Sequence, residues 1–153
     1  MITIYTDGAS RGNPGPGGYG VVLIYKEHRK ELSEGFRLTT NNRMELLAVI
    51  KGLEALKGEG QEVVIYTDSQ YVVNAVEKGW IWGWVKKGFK DKKNPDLWKQ
   101  FIPLYQKHKV KFKWLRGHAG HKENEYCDQL AVASATGSRL KVDQGFELAA
   151  GSS

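Results

Sequence analysis

Four acidic residues stand where a folded chain could bring their carboxylates together: Asp7, Glu45, Asp68 and Asp128. Asp7 and Asp68 each follow a strand-like stretch that ends in a Tyr-Thr pair, and strand ends are where α/β proteins place their ligands. Two like charges about 5 Å apart repel by roughly 3 kcal/mol at an effective dielectric constant of about 20. A converging cluster would therefore need protons or divalent cations, and oxygen ligands suit Mg²⁺ or Mn²⁺.

Each of these carboxylates also has a purely structural explanation, and the sequence spacing leaves both explanations open. Asp7 stands in a turn-like Asp-Gly pair, Glu45 could complete a capping box, Asp68 could cap the helix after it, and Asp128 could be an exposed helical residue. Convergence depends on the fold, which the spacing alone does not provide. Zinc is disfavoured, because Cys127 is the single cysteine and His118 and His121 lie in a Gly-rich loop.

Hydrophobic periodicity indicates the elements that would position these side chains. It predicts strands near residues 1–10, 19–25, 31–38, 63–67 and 110–115, and helices near residues 46–56, 69–76, 79–88, 96–104 and 124–135, with Asp96 as the cap of the fourth helix. A Gly/Pro-rich loop is expected at residues 11–18. Three consecutive strands followed by alternating helices and strands imply an α/β fold with a mixed sheet flanked by helices.

Composition limits the class of protein further. A chain of 153 residues fits one domain, and no apolar run approaches the length that spans a bilayer, so no membrane association is expected. The net charge of +6 and pI of about 9.3 suit a polyanionic partner or, equally, a solvated basic surface. A single cysteine agrees with a reducing cytoplasm, where we expect the protein.

The strongest local concentration of charge is the segment from Glu77 to Lys93. It holds six lysines and two acidic residues, a local net charge of +4, with Trp80, Trp82, Trp84 and Phe89 interleaved. Such a mixture suits tracking of a nucleic-acid backbone, whereas a solvated helix with a buried aromatic stripe is the alternative. A second series, Lys107, Lys109, Lys111 and Lys113, alternates along the last predicted strand and is interpreted as one solvated face.

Five blocks of sequence resemble bacterial type 1 ribonuclease H. They are TDG at 6–8, GNPGPGGYG at 12–20, TNNRMEL at 40–46, TDSQYV at 67–72 and GHAGH at 117–121, the last followed by ENE at 123–125 and CD at 127–128. The blocks occur in family order from the first strand to about Ala135. The resemblance implies a ribonuclease H-like fold with a five-stranded mixed sheet, the first three strands antiparallel. It also implies a catalytic domain over residues 1–135, and we expect a partly disordered tail over residues 136–153.

The same resemblance implies roles for the acidic residues. Asp7, Glu45, Asp68 and Asp128 would hold two Mg²⁺ ions, with Asp7 bridging them and Mn²⁺ as a possible substitute. One ion would generate the attacking hydroxide and the other would stabilise the leaving 3′ oxygen. His118 matches a mobile histidine of the family that is thought to assist proton transfer or product release. The expected activity is hydrolysis of the RNA strand of an RNA–DNA hybrid by a monomer, leaving 5′-phosphate and 3′-hydroxyl ends.

Substrate contacts are implied at further positions. Asn13, Asn42 and Gln70 match positions that touch the minor groove or the RNA, and Asn13, Thr40 and Asn41 match a DNA-phosphate grip. Trp80, Trp84, Lys86 and Lys87 match a basic protrusion that lines the DNA strand. Two alternatives remain on the same fold: a catalytically idle hybrid-binding module, and an integrase- or resolvase-type nuclease. The intact carboxylate quartet disfavours the first, and the basic protrusion disfavours the second.

Overall fold

The computed structural model describes residues 1–117 and 120–151, which form a single mixed sheet with helices on both sides. The strands are β1 (Ile2–Ser10), β2 (Gly15–Tyr25), β3 (His28–Thr39), β4 (Glu62–Thr67), β5 (Lys109–Trp114) and β6 (Leu140–Lys141). The helices are α1 (Asn41–Glu54), α2 (Gln70–Glu77), α3 (Trp80–Lys86), α4 (Pro95–Lys107), α5 (Lys122–Thr136) and α6 (Gln144–Gly151). Over these two ranges, no helix is both long and apolar enough to cross a membrane.

The order of strands in the sheet is β5-β4-β1-β2-β3-β6. β1, β2 and β3 are antiparallel, as the sequence predicts, and β4 and β5 run parallel to β1. The prediction of five strands was wrong, because Leu140 and Lys141 add a sixth by pairing parallel with Gly35 and Phe36 of β3. A strand of two residues has no periodicity to detect, and only the tertiary structure places it at this edge.

The segment after Thr136 also differs from the expected partly disordered tail. Residues 140–141 form β6 and residues 144–151 form α6. Asp143, between these elements, is buried and accepts hydrogen bonds from Arg43 of α1 and Thr39 of β3. Its partners lie about a hundred residues away in sequence, so no local pattern indicates that the segment docks on the sheet.

The two sides of the central strands are covered by different helices. A Cβ on Gly52 of α1 would contact Ile4 and Val21, whereas one on Gly20 would lie 2.3 Å from the Cys127 carbonyl oxygen of α5. Gly20 and Val21 are consecutive on β2 and therefore face opposite sides of the sheet. Close packing of α5 requires a glycine at position 20 and small residues on the helix, and Ala131 is fully buried there.

Helix capping decides which polar residues near the sheet edge are used structurally. Thr40 caps α1 by accepting a hydrogen bond from the Arg43 backbone N–H, and Ser69 caps α2 in the same way through Val72. Asp68 is therefore not a capping residue. The predicted cap of α4 at Asp96 was wrong: Asn94 occupies the capping position, Pro95 follows it, and the Asp96 carboxylate binds Arg43 instead.

Candidate active site

Three of the predicted carboxylates converge at one edge of the sheet. Asp7 lies near the carboxyl end of β1, and Asp68 directly follows β4, which is parallel to β1 and paired with it. Glu45 reaches the same place from α1. Ligand oxygens of Asp7, Glu45 and Asp68 all lie within 4.8 Å of one another, a spacing that can surround a metal ion.

The position of Glu45 depends on a close approach between β1 and α1. The Gly8 backbone N–H donates to Oε1 of Glu45 at 2.6 Å and to Oδ1 of Asp7 at 3.0 Å. A Cβ on Gly8 would lie 2.4 Å from the Glu45 backbone nitrogen, so no side chain fits there. Glu45 is thereby held against Asp7.

The second oxygen of Glu45 fits a cation. Oε2 is buried and has no hydrogen-bond partner among the residues that the structure describes. A buried carboxylate oxygen without a donor is costly, and a metal ion would supply the missing positive partner. The donor set contains only oxygens, which suits a hard divalent ion.

The electrostatics of the cluster agree with this interpretation. Burial, assisted by the neighbouring charges of Asp68 and Asp128, raises the pKa of the Asp7 carboxyl to about 8. Burial also raises the pKa of Glu45 well above its ordinary value, and the charges of Asp7 and Asp68 act in the same direction. The metal-free cluster therefore holds protons near neutral pH, and divalent cations would compete for their places.

Asp128 belongs to the same cleft but stands slightly apart. It lines a cleft of about 580 Å³ together with Asp7, Glu45 and Asp68, and it reaches the cleft from α5. Its carboxylate is not one of the three within 4.8 Å of one another. Its charge still acts on Asp7, so the four predicted carboxylates share one electrostatic environment.

Trp114 belongs to this cleft, although the sequence interpretation gave it no role in the site. Trp114 ends β5, is 45% exposed, lines the cleft and donates its indole N–H to the Asp68 backbone carbonyl at 3.1 Å. The alternation of β5 predicted a strand and gave Trp114 no special role. Its position directly at the carboxyl end of a parallel strand was the available signal.

The residues predicted to contact substrate lie in three neighbouring places. Asn41, Asn42 and Gln70 line the carboxylate cleft. Asn13 and Thr40 line a second pocket of about 520 Å³, which also includes Lys92 and Lys93. Trp80, Trp84 and Lys87 line a third pocket of about 550 Å³ around α3, and Lys86 is exposed on the same helix.

Contacts within these places refine several of the predictions. Asn13 accepts a hydrogen bond from the Asn41 backbone N–H at 3.1 Å, which fixes the loop before β2 against α1. Trp80 is 49% exposed, whereas Trp84 packs edge-on against the buried Trp98. Phe89 is buried in the core, so its ring is not part of a substrate surface.

The structure describes only one of the two histidines of the GHAGH block. His118 lies outside the described residues. His121 is exposed and occupies the position before the first turn of α5, with no side-chain capping hydrogen bond. His121 is not among the described residues that line the carboxylate cleft.

Fold and site together define a class: an α/β protein whose mixed sheet carries an oxygen-ligand cation site at the carboxyl ends of two parallel strands. Residues 1–136 match the RNase H family model, and the chain belongs to this family. The family depends on divalent metal ions, and the acidic cluster supplies suitable ligands.

Similar proteins cover nearly the whole chain. A ribonuclease H from Desulforamulus reducens is 63% identical over 147 residues, which are 93% of this chain and 92% of the relative. One from Syntrophus aciditrophicus is 57% identical over 95% of this chain and 87% of its own. LC9-RNase H1, a type 1 enzyme with the type 2 active-site motif, has a TM-score of 0.81 at 36% identity, over 97% of this chain and 80% of its own. LC11-RNase H1 in complex with an RNA/DNA hybrid has a TM-score of 0.66 at 28% identity, over 88% and 96%.

Proposed function

We propose that the protein is an endonuclease that hydrolyses the RNA strand of RNA–DNA hybrids and leaves 5′-phosphate and 3′-hydroxyl ends. The observation that carries the proposal is the convergence of Asp7, Glu45 and Asp68 within 4.8 Å in a family whose solved members include a complex with such a hybrid. Water would attack the phosphorus in line with the leaving 3′ oxygen, so the bond between phosphorus and that oxygen breaks.

Asp7, Glu45, Asp68 and Asp128 would hold two Mg²⁺ ions, with Mn²⁺ as a substitute. Bound divalent ions supply Lewis acidity and lower the pKa of water. The chain's own contribution is to hold the ligands. Gly8 fixes Glu45 through its backbone N–H, and the Trp114 indole fixes the backbone next to the Asp68 side chain. We also propose that His118 assists proton transfer or product release.

Recognition of the hybrid would use the three neighbouring places around the cleft. Asn13, Asn42 and Gln70 can donate to or accept from 2′-hydroxyls and base edges in a shallow minor groove. Thr40 and Asn41, with the lysines of the second pocket nearby, would hold a DNA phosphate. Trp80, Trp84, Lys86 and Lys87 would follow the DNA strand, combining ring contact with charge neutralisation.

A cleavage assay tests the proposal directly. The protein is incubated with labelled RNA–DNA hybrid, duplex DNA or duplex RNA, in Mg²⁺ or in EDTA. We expect cleavage only of the RNA strand of the hybrid and only with the metal. Binding of the hybrid without cleavage in Mg²⁺ would favour the idle binding module, and cleavage of duplex DNA would favour an integrase- or resolvase-type nuclease.

The remaining expectations concern organisation. We propose that residues 1–135 form the catalytic unit, a range close to the family match, and that residues 136–153 are a C-terminal tail in which Asp143 stabilises this unit through Arg43. A monomer in the cytoplasm also stays a prediction. Size-exclusion chromatography with light scattering measures the oligomeric state.

A further inference from the structure

A second charged surface lies on the sheet beside the strands that α5 covers. Register pairing places Lys111 of β5 opposite Val64 of β4, and Lys113 opposite Tyr66. Tyr66 in turn pairs with Tyr5 of β1. Residues paired across adjacent strands share one face of the sheet, so the lysines and the two tyrosines form one continuous surface. We call it the Lys–Tyr surface.

Contacts within this surface join its aromatic and cationic parts. The rings of Tyr5 and Tyr66 are stacked, with centroids 5.0 Å apart and planes 14° from parallel. The Lys113 ammonium lies 5.9 Å from the centroid of the Tyr66 ring. Both tyrosines are partly exposed, and Lys111 and Lys113 are exposed. The sequence predicted that the alternating lysines of the last predicted strand form a solvated face. In the structure, this face also carries a stacked pair of tyrosines.

The surrounding charges leave two lysines uncompensated by their strand neighbours. Lys109, at the start of β5, is paired in register with Glu62, whereas Lys111 and Lys113 face an apolar and an aromatic residue. Glu123, whose charge acts on Tyr5, is bound by Arg29 in an ion pair. Glu77 lies at the edge of β5, where it accepts a hydrogen bond from the Phe112 backbone N–H. Lys111 and Lys113 thus have no acidic partner across the strand pair, and such a pair of ammonium groups can attract anions.

The Lys–Tyr surface is continuous with the carboxylate cleft. Tyr5 lies two residues before Asp7 on β1, and Tyr66 lies two residues before Asp68. Asp7, which lines the cleft, therefore lies on the same face of the sheet as Tyr5. Lys111 and Lys113 are about 6.6 Å apart along the strand, comparable with the separation of successive phosphates in an extended nucleic-acid strand.

We propose that the Lys–Tyr surface binds an unpaired nucleic-acid strand that continues from the hybrid held in the cleft. Lys111 and Lys113 would neutralise consecutive phosphates, and the tyrosine pair would offer a ring face to a base. The proposal rests on the proposed function, because the unpaired strand reaches this surface only when the hybrid is bound in the carboxylate cleft. Lysines on an edge strand also prevent edge-to-edge pairing of sheets. That role needs no neighbouring aromatic pair and no contact with nucleic acid.

The test compares blunt hybrid with hybrids that carry a single-stranded extension of about ten nucleotides on the DNA or the RNA strand, at either end. Binding is measured in EDTA, which prevents metal-dependent cleavage, at several salt concentrations. We expect the unmodified protein to bind at least one extended hybrid about tenfold more tightly than the blunt one. The Lys111→Gln/Lys113→Gln variant should lose this advantage, and its salt slope on that hybrid should fall by about 1.4, or about 0.7 for each lost phosphate contact.

Two further variants make the result specific. Lys26→Gln/Lys30→Gln removes the same charge from the β2–β3 hairpin and should keep the advantage, because these lysines lie outside the Lys–Tyr surface. Tyr66→Leu should weaken the preference for the extension but retain the salt slope. A protein with no preference for any extended hybrid, or an equal loss in the hairpin control, would overturn the proposal. Blunt hybrid left uncut in Mg²⁺ would instead contradict the proposed function and leave the EDTA result standing.

Discussion

Two groups of buried charges begin two residues apart on α1 and have opposite surroundings. Glu45 joins Asp7 and Asp68 in a cluster of like charges with an unpartnered carboxylate oxygen. Arg43 is equally buried, but its guanidinium forms bidentate hydrogen bonds with both Asp96 and Asp143 at 2.7 to 2.9 Å. Among the residues that the structure describes, the carboxylate cluster has no cationic partner, whereas the Arg43 group contains both the cation and its carboxylates.

The comparison separates a site that needs a ligand from a site that stabilises the fold. Burial lowers the pKa of Arg43, but its carboxylate partners more than offset this and raise it overall, so the guanidinium stays charged. The same pairing lowers the pKa of Asp96 against the opposing effect of burial. In the carboxylate cluster, burial and neighbouring charges raise the pKa of Asp7 instead. We call the group around Arg43 the Arg43 network; it comprises Arg43, Thr39, Asn94, Asp96 and Asp143.

The largest expected effect follows from replacing a carboxylate of the cleft. Asp7→Asn should reduce cleavage of the hybrid by at least about 10³-fold while leaving hybrid binding intact, because a bound metal contributes several kcal/mol to the transition state. In EDTA near neutral pH the variant should unfold at about the same temperature as the unmodified protein, because the raised pKa of Asp7 already keeps its carboxyl largely protonated and an amide is also uncharged. Single-turnover cleavage and thermal unfolding measure the two effects.

Asp143→Asn is the matched control, because it makes the same chemical change in the Arg43 network. It should lower the unfolding temperature and retain cleavage. Retained turnover in Asp7→Asn would show that Asp7 is not an essential metal ligand.

The second prediction breaks the Arg43 network. Arg43→Met leaves the carboxylates of Asp96 and Asp143 without their cation and should lower the free energy of unfolding by about 3 kcal/mol. Urea denaturation measures this change. Arg37→Met removes an exposed arginine whose only ion-pair partner in the described structure is Glu147, and it should have little effect. An equal decrease in the free energy of unfolding in both variants would mean that the buried ion pairs of Arg43 stabilise the fold no more than the exposed ion pair of Arg37.

The third prediction concerns pH. The pKa of Asp7 is raised from 3.8 to about 8 in the folded, metal-free protein, so its contribution to stability is complete at acid pH and is lost as pH rises toward 8. Divalent cations compete with the protons, and they should therefore raise the unfolding temperature more at about pH 8 than at about pH 5. Thermal unfolding with Mg²⁺ or EDTA at each pH measures the difference. A metal-induced shift that is equal at both pH values would contradict the assignment.

The sequence predicts the carboxylate site better than the Arg43 network, for a physical reason. Asp7 and Asp68 stand in or directly after strands with clear patterns, and the sequence blocks that resemble the family contain all four predicted carboxylates. Spacing alone could not exclude capping roles for Glu45 and Asp68. The structure does so, because Thr40 and Ser69 provide the caps.

The Arg43 network left no local signal. Arg43 and Asp143 are separated by 100 positions, and Asp143 lies in a segment with weak hydrophobic patterning. The sequence interpretation assigned Asp96 as a helix cap and therefore did not predict its ion pair with Arg43. Strands and helices follow from periodicity, whereas the last strand and helix are held by contacts with residues distant in sequence, and this ion pair is one of them.

The smallest expected change in the free energy of unfolding comes from replacing a buried threonine by valine, once in the Arg43 network and once beside the carboxylate cluster. Thr39 and Thr6 are fully buried threonines on strands, but Thr39 donates to Oδ2 of Asp143 at 2.7 Å, while the Thr6 hydroxyl has no partner among the residues described. Thr39→Val should lower the free energy of unfolding by about 1 kcal/mol, because Asp143 loses a donor. Thr6→Val removes an unsatisfied hydroxyl next to Asp7 and should leave stability unchanged or raise it. Urea denaturation measures both variants, and valine has nearly the same shape as threonine. A loss at Thr6 as large as that at Thr39 would mean that a buried water satisfies the Thr6 hydroxyl.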